Sequence, residues 1–205
     1  QDPITLNVAP PRQPFAANDS ATVAEDSENN PINVLDNDIP TEGGTLTITL
    51  LNGQNVAVQP IATTHGTVTT DGTTISYTPA DDYYGPDSFT YQITDSNGGE
   101  GPHTGTVAVS VTPVNDAPEL TIPFTQVTTP EETQVLLANG GSISVADIDA
   151  DASGGVKVTA SVSQGTLNAP NGLVTIVGAN TGTLTLTGPV AAVNASLAVL
   201  RYTPV

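Results

Sequence analysis

The stretch PVNDAPEL, Pro113 to Leu120, decides how the rest of the chain divides. Two prolines bracket an Asn-Asp pair, so the segment suits neither a helix nor a strand ladder. Prolines stiffen it and keep it out of sheets, which reads as a linker. Apolar and polar residues alternate on both sides. TLTITLL (Thr45 to Leu51), TISYT (Thr74 to Thr78), SFTYQIT (Ser88 to Thr94) and TVAVSV (Thr106 to Val111) come before it. GSISVA, VKVTASV, LVTIV and TLTLT come after. Such alternation turns one face of each strand inward. Turn signals separate the runs, at Asp71-Gly72, Asn97-Gly98 and Asn171-Gly172. The helical candidate is PVAAVNASLAVL, Pro189 to Leu200, which opens on proline and spaces its apolar residues by three and four. The expected class is all-β, with one short helix in the second half.

An internal repeat supports the division. AND ending at Asp19 matches VND ending at Asp116, 97 residues on, and HGTV at His65 matches QGTL at Gln164, 99 residues on. Tyr77-Thr-Pro recurs at Tyr202 after an insertion of about 26 residues. A period near 100 residues is that of one β-sandwich domain. The expected organisation is a sandwich over 17–113, a linker over 114–118 and a second sandwich over 119–205 that lacks its last strands. Residues 1–16, with ITLNV (Ile4, Leu6 and Val8 on one face), are expected to be the last strand of a preceding domain or a strand donated to a neighbour.

Of the 205 residues, 21 are acidic and 3 basic (Arg12, Lys157, Arg201), a net charge of −18. Nucleic acid and anionic membrane would be repelled. So many carboxylates lack cationic side chains to pair with and must be solvated or neutralised by metal. With no cysteine, disulfides and thiolate sites are excluded. No apolar run reaches membrane-spanning length, so no membrane insertion is expected. His65 and His103 stand singly in turn-like contexts, and the chain has no Trp and only 3 Phe to build a sugar platform. No enzyme activity is expected.

AEDSENNPINVLDND, GTVTTDGTTISYTPADDYYGPDSFTYQITDSNGG and VTPVNDAP closely resemble the bacterial cadherin-like repeats of very large surface adhesins. SVADIDA through VAAVNASLAVLRYTP resembles a longer variant from such proteins. The resemblance implies Ig-like, cadherin-like sandwiches strung end to end at the cell surface, many with calcium at their junctions. It implies one ligand set of Glu25 or Asp26, Asp87, Asn115 with Asp116, and Asp147 with Asp149. By the same logic an upstream junction would use Asn18, Asp19, Asp36, Asp38 and Asp95.

Spacing points the same way. Asp147, Asp149 and Asp151 alternate, so an extended backbone would put all three on one face. Like charges that close repel by about 1 kcal/mol per pair even in water. An EF-hand is ruled out, because Ala152 stands where its glycine belongs and Val158 where its glutamate belongs. Calcium, which takes six to eight oxygens, suits these residues. The expected function is a calcium-stiffened spacer or adhesion module of a bacterial surface protein, with neighbouring repeats as partners. The alternative is a subunit of an extracellular filament, built when the Ile4–Leu6–Val8 strand enters the incomplete second domain of another copy.

Overall fold

The computed structural model describes residues 13–98, 103–150 and 154–205. The chain forms two compact units, Gln1–Val114 and Asn115–Val205.

In unit 1, β1 (Asp19–Ala24), β9 (His103–Thr112), β8 (Gly85–Asp95), β3 (Leu46–Leu51) and β4 (Gln54–Asn55) form one sheet in that order. The other sheet runs β2 (Asn30–Ile32), β7 (Ile75–Pro79), β6 (Gly66–Thr70), β5 (Ile61–Ala62). Most neighbours are antiparallel, but β1 lies parallel to β9, with Asp19 opposite Val107 and Ala24 opposite Thr112. The alternation in β8 and β9 buries Phe89, Tyr91, Ile93, Val107, Val109 and Val111 on one face. These pack with Ile32, Ile61, Val68, Ile75 and Tyr77 of the second sheet into a single core, the arrangement of a β-sandwich. Each such side chain contributes about 1.5–3 kcal/mol by leaving water.

Unit 2 repeats part of this plan. Its sheet β11 (Val135–Leu136), β17 (Arg201–Thr203), β14 (Thr166–Asn168) has the order of β2, β7, β6. Two further sheets pair β10 (Glu119–Thr121) with β12 (Ser144–Ala146), and β13 (Val156–Ser161) with β16 (Thr183–Gly188) and β15 (Thr175–Val177). The insertion within the repeat is thus β15, β16 and the helix α1 (Val190–Leu197). Val193 and Leu197, four apart, are buried against Val145, Val156, Leu184 and Leu186.

The helix is shorter than Pro189 to Leu200. Pro189 sits outside it in an extended conformation, and its last turn is tightened by bonds from Val199 N–H to Ser196 O and from Leu200 N–H to Leu197 O. Leu200 is then free to accept the Leu137 N–H through its carbonyl. The all-β class holds, and a short helix stands in the second half as expected.

Candidate metal centre

Carboxylates in unit 1 gather at two places. At the end of β1, Glu25 continues the ladder by donating its N–H to Thr112 O. Its side chain is 2% exposed, and Oε1 accepts the N–H of Val114 at 2.6 Å. Glu25 therefore pins the backbone just after the last strand. The next residue, Asp26, turns left-handed at φ 58°, as does Asp82 at φ 57°. This conformation is uncommon for residues with a Cβ, and Asp tolerates it better than most. The two turns bring Asp82 N–H to Asp26 Oδ1 at 3.2 Å and hold an oxygen of each exposed carboxylate within 4.8 Å of the other. At that separation the repulsion is about 1 kcal/mol in water and several times more where water is displaced.

The second gathering surrounds the Tyr91 hydroxyl. It lies 2.9 Å from Ala17 O, 3.1 Å from Asp19 Oδ2, and 2.9 and 3.2 Å from the two oxygens of Asp38. One hydroxyl proton can serve only one of these at a time, which leaves a surplus of acceptor oxygens. Ala17 N–H donates to Asp38 Oδ1 at 2.7 Å, and Asn37 Nδ2 to Asp19 Oδ1 at 3.0 Å. Burial nonetheless lifts the Asp19 and Asp38 carboxyls above the ordinary carboxylate range, with each also raised by a neighbouring carboxylate. Asn18 Oδ1 accepts Thr106 N–H, and Asp36 is exposed.

Two of the expected ligands are engaged elsewhere. Asp95 Oδ1 accepts the Asn97 N–H and the Thr41 hydroxyl, and Oδ2 the Thr41 N–H. It staples the loop before β3, where a Cβ on Gly44 would meet Asp95 Oδ1 at 2.2 Å. Asp87 points inward from β8 in the same alternation as Phe89. Its Oδ2 accepts the Thr63 hydroxyl (2.6 Å), the Tyr77 hydroxyl (2.8 Å) and His65 N–H (3.1 Å), while Oδ1 accepts Ser88 N–H. Burial raises the Asp87 carboxyl, but these four bonds outweigh it and hold the group below its ordinary value.

In unit 2, Asp116 N–H donates to Asp149 Oδ2 at 2.7 Å, and Asp149 N–H to Asp147 Oδ1 at 3.0 Å. Asn115 Nδ2 donates to the carbonyl of Asp116. The structure corrects the expectation of an extended run here. β12 ends at Ala146, and the bond from Asp149 N–H back to Asp147 closes an Asx turn that bends the chain. Asp147 and Asp149 are thereby joined to Asp116 by hydrogen bonds, not by strand alternation. Asp151 lies outside the described residues, as do Ile4, Leu6 and Val8.

Asp82 is absent from the ligand sets that the sequence implies. Its meeting with Asp26 across 56 positions depends on two left-handed turns that no spacing reveals.

A family model described as bacterial Ig domain matches residues 11–112. A search among curated proteins found no match to the chain. Among solved structures, the chain is similar to extracellular cadherin domains 1-4 of protocadherin gamma B7, at 14% identity and a TM-score of 0.35, over 86% of this chain and 41% of that one. It is also similar to the human desmocollin-1 ectodomain, at 14% identity and a TM-score of 0.35, over 86% of this chain and 34% of that one. A third is EC1-2 of human mucin-like protocadherin, at 20% identity and a TM-score of 0.31, over 84% and 78% of the two chains. The chain spans about two fifths of the protocadherin gamma B7 fragment. Residues 11–112, the body of unit 1, thus match the bacterial Ig domains.

Proposed function

We infer that the chain is a structural spacer of a bacterial cell-surface adhesion protein, stiffened by calcium where its domains join. The observation that carries this reading is the use of carboxylates to hold main-chain N–H groups around the PVNDAPEL segment. Glu25 holds Val114 within unit 1, and Asp149 holds Asp116 within unit 2. Asp26 and Asp82 in the first unit, and Asp147 in the second, add further oxygens. The donor set is oxygen throughout, in a chain with no cysteine, which suits a hard cation that takes many oxygens. Calcium bound there would neutralise charges that now repel one another. It would also convert a flexible string of domains into a rod, a spacer's mechanical task. The surplus oxygens around Tyr91 offer a second place for a cation.

The test is thermal unfolding in millimolar calcium and then in excess chelator. Calcium at about 100 times its dissociation constant stabilises the folded chain by roughly 2.7 kcal/mol, read as a shift of several degrees. The shift should shrink in Asp149→Asn and in Asp26→Asn, and survive in Asp95→Asn. Identical melts with and without calcium would leave a bacterial Ig module with no metal-dependent stiffening.

A further inference from the structure

Unit 2 presents one strand edge that nothing guards. Its sheet β13, β16, β15 ends on Thr175–Val177, and among the described residues no strand pairs with β15 on its other side. β15 belongs to the insertion within the repeat. Unit 1 has no counterpart of it, so the repeat itself provides no strand to cover this edge. Sheet edges are normally blunted by proline or by charged side chains. Unit 1 follows that rule, since β2 contains Pro31, β5 follows Pro60, and β1 begins on Asp19 and runs into Glu25. β15 has neither device. Leu173 just before it and Val177 within it are 66% and 63% exposed.

The register of the sheet shows which main-chain groups this edge offers. Val162 N–H donates to Gly182 O at 2.8 Å, and the register that pairs Ser161 with Thr183 puts these two residues directly opposite. They form a hydrogen-bonded pair, and such pairs recur every second residue. Val158 and Leu186, four residues along each strand, are therefore another. Thr185 and Thr187 alternate with Leu186 and turn their N–H and C=O the other way, to Val177 and Thr175 of β15. Ile176, between those two, directs its own N–H and C=O to the open edge.

The chain's negative charge is absent from this face. All 21 acidic residues lie at or before Asp151, and from Val158 to Leu200 no residue is charged, 43 in succession. On the outer face of the sheet, Thr175 and Val177 stand beside Thr187, Thr185 and Thr159, which present only hydroxyls and methyls. A cationic partner would be drawn to the carboxylates elsewhere, and an anionic one would find only Lys157 here. Two copies of this chain, each at −18, repel wherever their carboxylates face each other. A surface without carboxylates is where they can approach.

We propose that β15 is a self-association edge, on which two copies of this chain pair their β15 strands antiparallel about a twofold axis at Ile176. The two Ile176 residues exchange N–H and C=O in a hydrogen-bonded pair, and Thr175 of each copy stands opposite Val177 of the other. Leu173 of each copy extends the apolar contact. The two three-stranded sheets thereby become one. A strand of 3 residues on each side buries little area, so the dimer is weak and reversible. This goes beyond the calcium reading and does not depend on it.

The experiment measures molar mass by sedimentation equilibrium up to millimolar chain at physiological salt, in calcium and in chelator. The full chain should pass reversibly from monomer to dimer and stop there, to the same extent in both solutions. Two double variants at exposed positions test the register, Thr175→Lys with Val177→Lys, and Thr175→Asp with Val177→Asp. Each alone sets like charges opposite one another and should move dimerisation to at least about tenfold higher concentration, with unchanged circular dichroism. Mixed in equal amounts they set Lys opposite Asp and should dimerise with each other. A full chain that stays monomeric overturns the proposal, as does a dimer that both variants retain or a mixture that fails to associate. Assembly beyond the dimer, or a dimer found only in calcium, places the contact elsewhere and overturns it too. If the melts do not respond to calcium but the dimer and its charge dependence remain, the stiffening model fails and β15 pairing stands.

Discussion

Asp87 shows what a single carboxylate costs and returns inside a sandwich. Burying it is unfavourable, but four donors from Thr63, His65, Tyr77 and Ser88 converge on it. The Tyr77 hydroxyl is pushed above its ordinary range, by its own burial first and by the Asp87 carboxylate second. Replacing Asp87 by Ala leaves two hydroxyls and two N–H groups without this acceptor, and the expected loss is about 3 kcal/mol at neutral pH, read by urea unfolding. The sign with pH follows from its depressed carboxyl. Its stabilising contribution is complete above the ordinary value of 3.8 and fades as pH falls through the lower folded value. Wild type and Asp87→Ala should therefore converge in acid; an undiminished gap there would contradict this role. Asp19 and Asp38 have the opposite sign, since raised carboxyls weaken the fold as pH rises. The resemblance to cadherin-like repeats singled out all three, but not that one is turned inward and two share a tyrosine.

Among the elements, α1 is tied to its neighbours by one side chain. Asn194 imitates a strand, giving Val145 both a donor and an acceptor. Asn194→Ala leaves both of Val145's main-chain groups without their partners and should lower the melting temperature by several degrees, roughly 2 kcal/mol. Asn194→Asp keeps the acceptor and loses the donor, so an intermediate loss is expected. The same amide heads an Asn-Ala-Ser glycosylation triplet, and its engagement with Val145 withdraws it from that role. Long strands were the legible ones. SFTYQIT and TVAVSV lie within β8 and β9 because each buries one face along much of its length. Strands of two or three residues, such as β4, β5, β10 and β11, contain too little alternation to register. The alternation of Asp147 and Asp149 misled for the converse reason. Period two was present, but a local side-chain bond bent the backbone first.

At the scale of the whole molecule, the charge of −18 acts on every element at once. Self-repulsion disfavours the compact state, and salt screens it over a length of about 8 Å at physiological strength. In chelator, added sodium chloride should therefore raise the melting temperature gradually. Calcium bound at defined sites should add a steeper rise at concentrations too low to change screening. A calcium effect matched by an equal ionic strength of sodium chloride would argue for screening alone. The parallel pairing of β1 with β9 has a further, mechanical consequence. A pull on the two ends of unit 1 enters β1 at its Asp19 end and leaves β9 at its Thr112 end, at opposite ends of the same ladder. The tension slides the two strands past each other along their length. The bonds between them are strained together, in shear, and do not peel open one after another. A domain built this way stays folded under a tug that would unzip an antiparallel pair of the same length.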